Sequence, residues 1–242
     1  SGQTDRGWVS MDHLRPVEAA DEDLVTDTGL RIIQEFLPAG ADNRPGGSNP
    51  DTYITIHETG NFAKGADAAA HAAYLRGSSA QAAPVSWHYT VDDHSIYQHL
   101  PDCERAYHAG DGGSGPGNAT SIGIEICVDA GGDFEQARVN AAALVRLLME
   151  RHDIPLDRVV QHNRWNGKDC PKTIRTTAGA WEAFLALCGG QGSQDMDPEL
   201  EAAVDTLAAA GIIDSPERWK ALDFTANSVR LLLIKMGRYV TN

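Results

Sequence analysis

The segment Ile122-Gly123-Ile124-Glu125-Ile126-Cys127-Val128 alternates strictly, with a branched aliphatic residue at every even-numbered position. Successive side chains of a strand point to opposite faces, so this stretch reads as a strand with one apolar face and a second face carrying Gly123, Glu125 and Cys127. Such a strand needs a sheet beside it and a layer of helices over its apolar side. Tyr53-Ile54-Thr55-Ile56-His57 alternates in the same way, with Tyr53, Thr55 and His57 on one face and the isoleucines on the other. His57 therefore ends a strand and faces away from the apolar layer. Residues 85–91 and 95–100 read as two further strands around an Asp92-Asp93 turn, and residues 158–161 as a short strand that delivers His162. Residues 30–37 fit more than one state and lead into a loop marked by Pro38, Gly40, Pro45, Gly46 and Gly47.

Helical periodicity fills the intervals. Residues 66–76 are rich in alanine and stop at Gly77. Over 135–152, Val139, Ala143, Leu144, Leu147 and Leu148 form one stripe, and Trp181, Phe184, Leu185 and Cys188 repeat the i, i+3, i+4, i+7 spacing of a buried face. Strands interleaved with helices predict an α/β domain with a mixed central sheet flanked by helices, over residues 1–188. Residues 189–196 have the composition of a Gly-rich linker. Beyond it, Asp197-Pro198 is a helix start, with Leu200, Val204 and Leu207 as its stripe and Gly211 as its stop. Ser215-Pro216 repeats the signal, and Val229, Leu232, Leu233 and Met236 follow. Residues 197–242 thus read as a small helical module of the kind that adds wall targeting or self-association.

Composition excludes several roles. A formal net charge of −14 disfavours a nucleic-acid partner, since phosphate neutralisation needs an excess of Lys and Arg. No apolar run approaches the length of a membrane span. The start, Ser1-Gly2-Gln3-Thr4-Asp5-Arg6, is not an intact signal peptide, so the expected routes to a wall are holin-dependent release or secretion with the signal removed. Cys103 and Cys127 read as small buried thiols, with a disulfide as the alternative in an exported protein.

Cys170 belongs to another pattern. Two strand-ending histidines, His57 and His162, and Cys170 eight residues after the second can converge as two imidazoles and a thiolate around one zinc ion. Three protein ligands with an open fourth position is the catalytic form of such a site. The long Gly-rich loop over 103–120 suits a functional segment beside it.

Five ordered motifs carry this pattern: Ile54-Thr55-Ile56-His57-Glu58-Thr59-Gly60, Trp87-His88-Tyr89-Thr90-Val91, Tyr107-His108-Ala109-Gly110, Ile122-Gly123-Ile124-Glu125, and the run from His162 through Trp165, Lys168 and Cys170 to Pro171. Together, over residues 30–188, they resemble the zinc-dependent N-acetylmuramoyl-L-alanine amidases, which include phage endolysins and the peptidoglycan recognition proteins. The resemblance implies hydrolysis of the bond between N-acetylmuramic acid and L-alanine in bacterial peptidoglycan, with one zinc per chain on His57, His162 and Cys170. It assigns Glu125 as general base, Lys168 as partner of the developing oxyanion, Tyr89 as a donor in the cleft, with strand packing as the equal alternative for this aromatic, and His108 as a cleft residue. Trp87 and Trp165 flank the motifs as candidate substrate contacts, with core packing as the alternative for each. Phage endolysin, host autolysin and recycling amidase all fit these motifs, and the appended module favours the first. A non-catalytic peptidoglycan-binding module is the competitor from another class, against which the retained Cys170 argues. A thiol hydrolase is disfavoured because the Asp169-Cys170-Pro171 setting offers no helix N-terminus directly after the sulfur.

Overall fold

The computed structural model describes residues 24–83, 85–190, 198–213 and 216. Its centre is a six-stranded sheet of β1 (Ile32–Gln34), β2 (Tyr53–Glu58), β3 (Tyr89–Val91), β4 (Ile96–Gln98), β5 (Ser121–Ile126) and β6 (Val159–Gln161). The strand order is β1-β4-β3-β5-β2-β6. Every neighbouring pair is parallel except β3 with β4, which makes the sheet mixed. That antiparallel pair is closed by Asp92, whose carboxylate accepts from the amides of His94 and Ser95 and also from Ala68 at the start of α1 (Ala68–Arg76). One buried side chain thereby ties the turn to a helix.

Alternation sorts the two faces as the residue pattern dictates. Ile54 lies opposite Ile122 and Ile56 opposite Ile124, and all four are fully buried under α4 (Phe134–His152) and α7 (Ala180–Cys188). Each such side chain contributes roughly 1.5–3 kcal/mol through burial, so this face holds the fold together. Helix α4 starts on Asp133, whose carboxylate accepts from the Gln136 amide, and Ala137, Ala141, Leu144, Val145 and Leu148 face the sheet. On the other face, His57 lies opposite Glu125, and Glu125 opposite Thr90. The short α2 (Ser78–Ala82) follows α1.

Five readings change. Residues 30–37 contribute only the edge strand β1, and the strands expected over 85–91 and 95–100 are three residues each. The Gly-rich loop ends in a short helix, α3 (Pro116–Thr120). The segment after His162 contains one helical turn, α5 (Asn163–Asn166), and α6 (Lys172–Thr176) begins just beyond Cys170. Cys103 is exposed whereas Cys127 and Cys188 are buried, and all of them are free thiols.

In the C-terminal part of the chain, α8 (Pro198–Ala209) forms where the Pro198 start and the Gly211 stop predict it. Val204, Ile212 and Ile213 pack into a small apolar cluster with Leu207 and Ala208. The expected helical residues around Val229, Leu232, Leu233 and Met236 lie outside the described residues. No helix among the described residues is long and apolar enough to cross a membrane.

Candidate metal centre

Parallel strands send their C-terminal ends to the same edge of a sheet, where functional groups collect. β2, β5 and β6 do so here, bringing His57, Glu125 and His162 to one edge, and the His162 amide donates to the Ile56 carbonyl at 3.1 Å. The fourth contribution comes from a loop. The turn of α5 and the Asn166 side chain, which accepts from the Lys168 amide, bend the chain so that Cys170 returns against the end of β2. There the Glu58 carboxylate accepts from the amides of Thr173 and Ile174, both at 2.9 Å. A helix thus does start after Cys170, contrary to the sequence reading, but its free amides serve Glu58 rather than the sulfur.

The nitrogen and sulfur atoms that could hold a metal lie within 4.8 Å of one another in His57, His162 and Cys170, all three buried. His57 Nδ1 is 3.9 Å from Cys170 Sγ and 3.8 Å from Glu125 Oε1. The His57 and His162 rings are 4.5 Å apart. His162 Nε2 donates to the Ala109 carbonyl at 2.9 Å, which leaves Nδ1, buried and without any hydrogen-bond partner. Glu125 Oε2 is likewise buried and unpartnered. Buried polar atoms without partners are rare and call for a cause. A cation between two imidazoles and a thiol removes the cost, and that donor set suits zinc.

The electrostatics agree. Burial holds His57 and His108 well below the usual histidine range, and lowers His162 too, so the imidazoles are neutral, the form that ligates. The same burial pushes the Cys170 thiol up to about 12. Burial also raises the Glu125 carboxyl to about 7, against the opposing pull of Lys168.

The remaining predicted site residues separate. Lys168 is exposed at the rim, near enough to act on His57, His162 and Glu125. His108 is buried, with Nδ1 2.9 Å from His57 Nε2, so it stands behind the cluster rather than open to a cleft. Trp165 is half-buried, donates to Thr55 Oγ1 at 2.9 Å and meets the Tyr53 ring edge-on. Trp87 is buried with Leu37, Leu75 and Leu100, its indole donating to Thr90 Oγ1 at 2.6 Å, so core packing accounts for it. For Tyr89 the packing alternative applies and the donor role in the cleft does not. It pairs with Ile124, on the isoleucine face, is 0% exposed, and donates to Asp102 Oδ1 at 2.6 Å. Two supports escaped the sequence reading. Glu58 sits beside His57, and alternation points it away from the histidine face. Asn118 Oδ1 accepts from the amides of His108 and Ala109 and so aims the Ala109 carbonyl at His162; an Asn in a Gly-rich loop was its only signal.

Residues 47–173 match the family described as N-acetylmuramoyl-L-alanine amidase, which is more than half of the chain. The chain belongs to that amidase family. Among its relatives are the N-acetylmuramoyl-L-alanine amidases XlyA and CwlH of Bacillus subtilis (strain 168). XlyA is 53% identical over 165 residues, covering 68% of this chain and 53% of its own length. CwlH is 49% identical over 170 residues, covering 70% and 64%. The chain therefore spans about half to two thirds of these relatives. The solved catalytic domain of XlyA, 52% identical, is covered completely by 66% of this chain at a TM-score of 0.62. A mutant endolysin from Bacillus subtilis matches at 51% identity, with 66% of this chain covering 99% of it at a TM-score of 0.62.

Proposed function

We propose that this amidase-family chain hydrolyses the amide between N-acetylmuramic acid and L-alanine in bacterial peptidoglycan, as a wall-lysing enzyme of the endolysin type. One zinc ion on His57, His162 and Cys170 would serve it. The observation that carries the reading is the buried, partnerless His162 Nδ1, which shares a 4.8 Å neighbourhood with His57 and Cys170 beside an unpartnered Glu125 oxygen. The endolysin type rests on the likeness to the Bacillus subtilis endolysin.

Zinc, when bound, supplies Lewis acidity that polarises a carbonyl and activates water. The chain's own groups do the rest. Glu125 takes the proton of the attacking water and returns it to the alanine nitrogen as the C–N bond breaks. A carboxyl raised to about 7 is matched to both directions of that transfer near neutral pH. Lys168, an exposed cation at the rim, faces the negative charge that develops on the carbonyl oxygen. The Ala109 carbonyl and His108 hold the two imidazoles in place.

Digestion of purified peptidoglycan tests the reading. New L-alanine amino termini without new reducing sugar ends are expected, with loss of activity in EDTA and return on adding zinc. New reducing ends, or indifference to EDTA, would overturn it. Residues 1–188 are assigned as the catalytic unit and residues 197–242 as a module for wall attachment or self-association. Equal wall binding and lysis by residues 1–190 and by the full chain would refute the targeting role.

A further inference from the structure

His57 can serve a metal through Nδ1 only if its single proton sits on Nε2, and the residues behind it decide where that proton goes. The chain of donors starts at Trp165. Its Nε1 can only donate, and it gives its hydrogen to Thr55 Oγ1 at 2.9 Å. Ser121 Oγ donates to the Gly117 carbonyl at 2.6 Å, which has no hydrogen to give. The 2.8 Å contact between Thr55 Oγ1 and Ser121 Oγ must then take its hydrogen from Thr55. Ser121 Oγ has spent its own hydrogen and presents only lone pairs to His108 Nε2, 3.5 Å away. That acceptor places the His108 proton on Nε2 and leaves Nδ1 bare. The 2.9 Å contact from His108 Nδ1 to His57 Nε2 then has one possible polarity, with His57 donating.

We infer that His108 is a positioning residue of the metal centre: it accepts the Nε2 hydrogen of His57, and the chain Trp165–Thr55–Ser121–His108 holds the His57 Nδ1 lone pair toward Cys170. Packing fixes the ring as firmly as the hydrogen bonds do. A Cβ on Gly123 would lie 2.7 Å from the His108 ring, so only glycine at this point of β5 admits the imidazole. The role differs from contact with substrate, because His108 is buried with both ring nitrogens facing protein groups. The link to metal rests on the zinc reading above; the tautomer does not.

Two measurements test this. In the metal-free protein, long-range ¹H–¹⁵N spectra of the histidine rings should find His57 protonated on Nε2 with Nδ1 bare. A proton on Nδ1 overturns the inference whatever the metal. Zinc affinity from competition with a chromophoric chelator, together with the visible spectrum of the cobalt form, then tests the consequence. His108→Phe fills the ring space but accepts nothing, and should weaken zinc binding by about 10–100-fold. His108→Asn keeps an acceptor near the Nδ1 position and should stay within about fivefold of the unchanged protein, with the cobalt spectrum preserved. Equal affinity of the His108→Phe and unchanged proteins, or equal loss in both variants, refutes positioning. If the unchanged protein binds no zinc at all, the metal reading fails instead, and the ring spectra still decide the tautomer.

Discussion

Glu58→Ala should loosen the site without touching any residue in it. The Glu58 side chain is buried to 8% exposure and accepts from the amides of Thr173 and Ile174, each at 2.9 Å. These amides belong to the first turn of α6, where no intrahelical partner exists. Removing the carboxylate lets the exposed Thr173 amide turn to water, whereas Ile174, at 1% exposure, keeps a buried amide without a partner. An orphaned buried donor costs about 1–3 kcal/mol and loss of a cap about 0.5–2, so a total of about 1.5–5 kcal/mol is expected. For a domain of this size that lowers Tm by roughly 3–20 °C. Since Pro171 and Cys170 immediately precede α6, zinc affinity should fall by about tenfold through a looser thiol. Calorimetry and chelator competition measure the two effects. Glu58→Gln keeps one acceptor but turns an NH₂ group toward the second amide, so it should fall between the two proteins. A Tm within about 2 °C of the unchanged protein, with unaltered zinc affinity, would refute the claim that Glu58 anchors the Cys170 segment.

Two further perturbations separate the site from its surroundings. Tyr89→Phe should cost about 1–2 kcal/mol in urea unfolding, since it removes a buried bond to Asp102, while leaving kcat on peptidoglycan within about twofold. A tenfold fall in kcat would return Tyr89 to the chemistry. His152, at the end of α4, supplies a pH signature of stability. Burial alone would lower it, but its bonds to Asp102 and Asp51 outweigh that and hold it up to about 9. An unfolded-state value of about 6.5 lies below the folded one, so the contribution is complete below about pH 6.5 and lost as pH rises through about 9. Urea titrations near pH 7 and pH 10 should show the unchanged protein losing less than about 3 kcal/mol more than His152→Gln over that interval. Parallel pH dependence of the two proteins would refute the assignment.

What could be read in advance followed from period and spacing. Alternation alone put His57 and Glu125 on the polar faces of their strands, and parallel pairing then set them opposite each other. The convergence of His57, His162 and Cys170 needed only two strand ends and a loop short enough to return. The stripe of α4 and the burial of Cys188 follow from the same local logic, because a helix face is determined by its own residues. The short helices α3, α5 and α6 carry no such period. They are four or five residues long and are held by side chains outside the helix, from Asp111 just before α3 on the Gly117 and Asn118 amides to the distant Glu58 on Ile174.

Tyr89 marks where reading from the chain alone stops. Within Trp87-His88-Tyr89-Thr90-Val91, alternation separates Tyr89 from Thr90 but does not say which of them shares a face with Glu125. That depends on the register of β3 against β5, and the pairing sets Thr90 opposite Glu125 and Tyr89 opposite Ile124. A shift by one residue would exchange the two faces. The register is selected by what each face can bury: the tyrosine hydroxyl finds Asp102 on one side, while Thr90 Oγ1 meets Trp87 and His99 on the other. His108 is the complementary case. Its place near the site was legible, but its direction came from Gly123, whose missing side chain admits the ring, and from Ser121, whose hydrogen is already committed to Gly117. Strand ends can be inferred from a sequence one at a time, whereas the polarity of a hydrogen-bond chain is a property of all its members and emerges only once the fold has assembled them.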